Sequence, residues 1–167
     1  MEYIIKTYNI INKIINFQFA IATFFLLFMT TIIIEGVFMR YVLNSPQAYS
    51  VEFARFSLMP LVAFAMAYTQ KSRSHVRVDM FLRTFNKKIY KSCIILSHII
   101  FLIYAIFISY SALTLTVEYY IENRISEDVG FILWPIPLFM MLGSMGLSIQ
   151  LIVDIIYSIN AKNYDIT

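Results

Sequence analysis

Polar residues are confined to short stretches of this chain, and long apolar runs lie between them. Ile14 to Ile34 carries no charged residue, and neither does Ser92 to Val117 or Val129 to Val153. A helix needs about 20 apolar residues to cross about 30 Å of hydrocarbon. Each of these runs therefore predicts a transmembrane helix. Phe56 to Gln70 is shorter, 15 uncharged residues closed by Arg55 and Lys71. Counting back about 20 residues from Gln70 reaches Val51. A fourth span is expected there, with Glu52 and Arg55 in its first two turns at the membrane interface. The pattern thus predicts a single membrane domain, residues 1–167, with helices over about 14–36, 51–70, 92–117 and 130–156.

Charge placement orients these spans, because Lys and Arg favour the cytoplasmic side. Lys71 to Lys91 holds Lys71, Arg73, Arg77, Arg83, Lys87, Lys88 and Lys91 against one acid, Asp79. Glu118 to Asp128 holds four acids against Arg124. With four helices and both termini inside, ten bases face the cytoplasm and only Arg40, Arg55 and Arg124 face out. Three helices give no comparable separation. Lys6 and Lys13 before the first apolar run resemble the start of a signal peptide. That run is too long for an h-region and no small-residue cleavage site follows, so a retained helix is expected.

Within the basic segment, Leu82, Phe85 and Ile89 fall at helical spacing, as do Phe81 and Phe85. Two readings fit. One is a short amphipathic helix over about 78–90, lying in the interface with Arg83, Lys87, Lys88 and Lys91 on phospholipid headgroups. The other is a solvated basic loop. Asn44 and Pro46 mark a turn between the first two helices. Pro135 and Pro137 suit the first turn of the last one, where amides lack intrahelical partners. Trp134 beside them is a candidate interface anchor.

Composition agrees with this pattern and narrows the chemistry. Charged residues make up 14% and hydrophobic ones 60% of the chain, and the mean hydropathy is +0.73. Soluble domains carry about 25% charge. The single cysteine, Cys93, excludes an internal disulfide and any multi-cysteine metal site. Pumps and proton relays need ionisable groups inside the membrane. The first, third and fourth apolar runs hold only His98, and a lone histidine in an apolar helix is more often structural. His75 and His98 make a poor haem pair. No nucleophile constellation, phosphate-binding glycine loop or metal-spaced cluster is present. The sequence argues against an enzyme and against a resident cofactor, and nucleic acid is not an expected partner. Small residues point to packing instead: Ala54, Ala63, Ala65 and Ala67 on the second helix, Gly143, Ser144, Gly146 and Ser148 on the fourth. They predict a four-helix bundle with surface left for another membrane protein.

Four stretches carry a family likeness. Arg40-Tyr41, Asn44, Tyr49-Ser-Val-Glu-Phe-Ala-Arg55 and His75-Val-Arg-Val-Asp79 occur in that order. Together they resemble the small membrane subunit of tripartite ATP-independent periplasmic (TRAP) transporters. That family has Arg-Tyr after helix one, an aromatic and Glu-x-x-Arg entering helix two, and His-x-Arg-x-Asp leaving it. The apolar run from Pro135 to Ile149 looks like its last helix. The likeness covers roughly residues 15–155. Tyr49 stands where the family commonly has Trp, Val51-Glu52 where it has two acids, and Ala65 where it has glycine.

The resemblance implies an all-α, multi-pass protein of the bacterial inner membrane, here a separate polypeptide. A periplasmic binding protein would capture an organic acid such as a dicarboxylate, oxo-acid or sialic acid. A large membrane subunit would carry that acid and sodium by an elevator-type movement. The small subunit would join the fixed scaffold and bind no sodium itself. Arg40, Tyr41, Glu52, Arg55, His75, Arg77 and Asp79 would form subunit or structural interfaces. Glu52 and Arg55, three apart on a helix, are expected to pair, with Arg40 or Glu35 joining. The pair would tie the first two helices or touch the binding protein. Arg77 and Asp79 would close the turn after helix two, or meet the large subunit or lipid phosphates. Three readings compete. A small multidrug exporter needs a carboxylate deep in helix one, and the first one here is Glu35 at its end. A haem or quinone redox protein and a generic assembly factor are the others.

Overall fold

The computed structural model describes residues 2–72, 87–127 and 129–160, with side chains over 9–72, 89–127 and 129–159. Among the described residues four helices form: α1 over Glu2–Tyr41, α2 over Ala48–Lys71, α3 over Lys87–Ile121 and α4 over Pro135–Asn160. Among the described residues no strand forms, and residues 125 and 132 make an isolated antiparallel bridge. All four helices are long and apolar enough to cross a membrane. The protein is an all-α, multi-pass membrane protein.

The helices outrun their apolar segments, because a helical ladder propagates through any residue of adequate propensity. The candidate spans of α1 and α3 each run 33 residues, against 24 for α2 and 25 for α4. At its start α4 is shorter than expected, beginning at Pro135 rather than 130. The residues before it are consumed by a tight turn, and Pro135 opens the helix where its missing N–H costs nothing. The interfacial helix expected at 78–90 lies outside the described residues, apart from the first turns of α3.

The helices do not close into the expected bundle. They stand in a row: α1 packs on α2, α2 on α4, and α4 on α3, with only a small area between α1 and α4. The sequence carries the reason. Along α1, Ile11, Ile15, Gln18, Ala22, Phe25, Met29, Ile32 and Gly36 recur at spacings of four and three, and all are covered, with Asn12, Ile21, Glu35 and Met39 beside them. That stripe is one coiled-coil-like face. Phe17, Phe24, Leu27 and Ile34 beside it are exposed. Along α3 the covered stripe is Ile94, His98, Ala105, Ala112 and Thr116. α2 and α4 bury residues on two sides, which places them in the middle. Ile15, Ala67, Ala105, Leu147 and Leu151 form the apolar core, one or two from each helix.

α2 and α4 run parallel, since Ala63 meets Gly143 and, further along both, Gln70 meets Asp154. The α1–α2 and α3–α4 connections therefore share one end of the row, the hairpin end. The opposite end carries the basic segment. α1 stops at Asn44, which takes a left-handed φ of 49°. α3 stops the same way at Asn123, φ 49°. There Arg124 N–H donates to Tyr119 O at 3.1 Å and Asn123 N–H to Tyr120 O at 3.4 Å, the paired bonds of a Schellman cap. The chain then reverses. Ser126 N–H donates to Phe131 O at 2.8 Å and Leu133 N–H to Arg124 O at 3.1 Å. Gly130 supplies the φ of 69° that this reversal needs. Phe131 lies against the rings of Phe53 and Phe56, 6.0 and 6.1 Å between centroids. The turn is thereby fastened over the start of α2. Trp134 meets Tyr120 edge-on.

Candidate subunit interface

At the hairpin end, the polar groups of α1 and α2 come together. The Tyr49 hydroxyl donates to Glu35 Oε1, joining the end of α1 to the start of α2. Gly36 lies directly against Ser50, so that a Cβ there would sit 2.6 Å from the Ser50 hydroxyl. A cleft of about 380 Å³ opens between the two helices, lined among others by Ile33, Val37, Arg40, Ser50 and Ala54. Arg40 and Tyr41 stand at its rim, and Tyr41 is 75% exposed.

Glu52 and Arg55 do not pair. Among the described residues the ion pairs are those of Arg124 with Glu118 and Glu122. Their spacing allows contact, but the Glu52 carboxylate is buried while Arg55 stays exposed, so the two do not meet. Glu52 is 8% exposed, and among the described residues its Oε2 has no hydrogen-bond partner. Eleven residues before Ala63, it shares the face that meets α4. Arg55 is exposed, and so is Arg40. The tie between α1 and α2 is made instead by Glu35 and Tyr49, a residue noted in the sequence only as a replacement for Trp. Across the hairpin, Arg124 donates to Glu122 at 2.5 Å and reaches Glu118 at 3.5 Å. The hydrogen bond to Glu122, then the charge of that carboxylate, raises the Arg124 pKa above its ordinary value.

Midway along the row, backbone meets backbone. A Cβ on Gly143 would lie 2.5 Å from the Ala63 carbonyl carbon. Gln18 of α1 reaches over to α4, donating from Nε2 to Leu142 O at 3.0 Å, and Gly146 leaves the space its amide fills. Ser109 and Ser144 share a hydrogen bond of 2.7 Å between α3 and α4. The small residues of α2 and α4 thus serve internal packing.

At the basic end a carboxylate sits between two amides. Gln70 Nε2 donates to Asp154 Oδ2 at 2.6 Å and Gln150 Nε2 to Asp154 Oδ1 at 2.9 Å. Both glutamines are buried. Lys71 donates to Asn16 Oδ1 at 2.9 Å. Lys91, expected on lipid headgroups, donates to Ile159 O at 3.0 Å and so covers an open carbonyl at the end of α4. Sequence reasoning missed the Asp154 cluster, because the uncharged run was read as ending at Val153. The available signal was Gln18, Gln70 and Gln150, amides at covered positions of otherwise apolar helices. His75, Arg77, Asp79 and Arg83 lie outside the described residues. Lys87 and Lys88 open α3, but their side chains lie outside them too.

The Glu35–Tyr49 bond is testable in the isolated chain. Tyr49→Phe removes the donor while keeping the ring, and is expected to destabilise the protein by about 1–2 kcal/mol. Thermal unfolding in detergent checks this. An unchanged midpoint would show that the bond adds nothing to the α1–α2 junction.

The family model for the DctQ component of tripartite ATP-independent periplasmic transporters matches residues 29–161. The match thus runs from the second half of α1 through the end of α4, and includes the hairpin-end residues and Asp154. A Haemophilus influenzae protein described as a candidate TRAP transporter small permease is 30% identical over 90 residues. That similarity covers 54% of this chain and 54% of the relative, so it spans about half of the relative's length.

Proposed function

The chain belongs to the DctQ component family of tripartite ATP-independent periplasmic transporters, and on that premise we propose that it braces the large membrane subunit of such a transporter. In this reading the complex sits in the bacterial inner membrane. The large subunit binds sodium and an organic acid, a dicarboxylate, oxo-acid or sialic acid, and moves them by an elevator-type displacement. The present chain performs no catalysis and holds no cofactor. It is part of the frame against which that displacement occurs.

The observation that supports this reading most is the locking of α2 to α4. Their backbones meet at Ala63 and Gly143, and Gln70 and Asp154 are joined at one end. A frame must resist lateral load, and backbone-close packing resists it because no flexible side chain intervenes. With both termini in the cytoplasm, the hairpin end faces the periplasm. Arg40, Tyr41 and Arg55 are exposed there and serve as contacts for the large subunit or for the docked binding protein, while Glu52 is turned inward. At the cytoplasmic end, His75, Arg77 and Asp79 serve as contacts for the large subunit or lipid phosphates. Arg83, Lys87 and Lys88 attract anionic phospholipid headgroups.

Reconstitution tests the proposal. Proteoliposomes holding the large subunit and this chain, given binding protein and a sodium gradient, are expected to take up the organic acid. Omission of this chain is expected to abolish uptake. Uptake by this chain alone, or full uptake without it, would overturn the reading. Arg55→Leu is expected to weaken recovery of the complex by about 1–2 kcal/mol, roughly five- to thirtyfold. Wild-type recovery and uptake in that variant would remove Arg55 from the interface.

A further inference from the structure

The outer faces of α1 and α3 are both exposed and apolar, yet they treat their polar groups differently. On α1, the hydroxyls of Thr23, Thr30 and Thr31 donate to the carbonyls of Phe19, Leu26 and Leu27 at 2.9, 2.8 and 2.8 Å. Between Phe19 and Ile34 that surface presents no unmet donor and suits lipid tails. On α3, Tyr104 and Tyr110 are 56% and 66% exposed. Among the described residues neither hydroxyl makes a hydrogen bond. A serine or threonine can turn back onto its own helix, whereas a phenol is held away from the backbone by its ring.

Both phenols lie at hydrocarbon depth. The Trp134–Tyr120 pair marks the interface at the hairpin end. Counting about 20 residues back from it places the hydrocarbon over about 100–120, with Tyr110 at its centre. Centring instead on the Ile89–Ile121 span gives about 95–115. Tyr104, Tyr110 and Ser111 fall inside on either count. Lipid tails offer no acceptor there.

The surrounding residues form a packing seam. Ile100, Tyr104, Phe107, Ser111 and Thr114 recur at spacings of four and three, about 140° around the helix from the stripe that packs on α4, and Tyr110 stands beside this repeat, about 80° from its centre line. Such a 3.5-residue repeat accepts a second helix at a shallow left-handed crossing. Ser111 and Thr114 leave room for larger side chains facing them.

We propose that the outer seam of α3, Ile100 to Thr114, docks a transmembrane helix of the large membrane subunit whose polar groups at that depth meet the hydroxyls of Tyr104 and Tyr110. This rests on the reading of the chain as the small subunit. α1 is then the lipid-facing edge of the row.

Site-specific photocross-linking in membranes that contain both subunits tests the assignment. A benzophenone amino acid at position 107 is expected to cross-link to the large subunit at least tenfold more than one at position 27 or 34 on α1. The double variant Tyr104→Phe/Tyr110→Phe is expected to lower recovery of the large subunit severalfold, while the isolated chain keeps its thermal midpoint. If the large subunit co-purifies but cross-links from α1, or if position 107 labels only lipid or a second copy of this chain, the α3 assignment is wrong and the small-subunit reading stands. Unchanged recovery in the double variant would remove the hydroxyls from the interface. If the large subunit does not co-purify even with the unaltered chain, the reading beneath the proposal fails with it.

Discussion

Gly143→Val is expected to cost about 3 kcal/mol, the upper part of the range for overpacking, and to remove most of the monodisperse protein recovered in detergent. A Cβ at this position would lie 2.5, 2.6 and 2.7 Å from the carbonyl carbon, carbonyl oxygen and Cβ of Ala63. Two of those three atoms are backbone and cannot rotate aside. α2 would have to move away as a body. Because α2 and α4 are the middle of the row, that movement would part α1 and α2 from α3 and α4 rather than dent one contact. Gly143→Ala is expected to be milder but still destabilising. Ala63→Gly added to it restores part of the loss, by removing the Cβ and leaving the carbonyl. Thermal midpoints of the single and double variants check the argument. A wild-type midpoint for Gly143→Val would mean that the helices do not approach this closely.

Asp154→Ala carries the next largest expected effect, about 2 kcal/mol. It strips the acceptor from two buried amide groups at once. A buried donor left without an acceptor costs about 1–3 kcal/mol, and measured interhelical hydrogen bonds in membranes fall at or below the low end of that range. The sharper comparison replaces Gln70, Gln150 and Asp154 together by Leu. No donor is then orphaned, and stability is expected to return close to that of the wild type. If Asp154→Ala and the triple variant are equally unstable, the cluster acts through its shape and not through its hydrogen bonds.

The spans themselves were legible in the sequence, because an apolar run of sufficient length has few fates other than crossing a bilayer. Their order in space was not. The stripe from Ile11 to Gly36 reveals that α1 has one covered face but not which helix covers it. Polar partners were read unevenly for the same reason. Glu52 and Arg55 share a helix face and are expected to meet, but burial draws Glu52 toward α4 and leaves Arg55 exposed. Glu35 finds Tyr49 across a turn, and Gln70 finds Asp154 from 84 positions away. Spacing rules reach along one helix only. What the sequence did display was the anomaly itself, a glutamine inside an apolar run: Gln18 and Gln70 each hold two helices together, and Gln150 braces the shared Asp154 along α4.

The unequal lengths of the four spans have a consequence for the bilayer. At about 1.5 Å per residue, the flanking helices are about 13 Å longer than the pair between them. Part of that excess is polar, but the uncharged run of α3, Ser92–Val117, is itself longer than that of α4 from Pro135 to Val153. The edges of the row must lean or stand proud of the headgroups, at a fraction of a kcal/mol per ångström of mismatch. Membranes of longer acyl chains therefore suit the rim and shorter ones the centre, and the annulus around such a protein is expected to select its lipids by chain length.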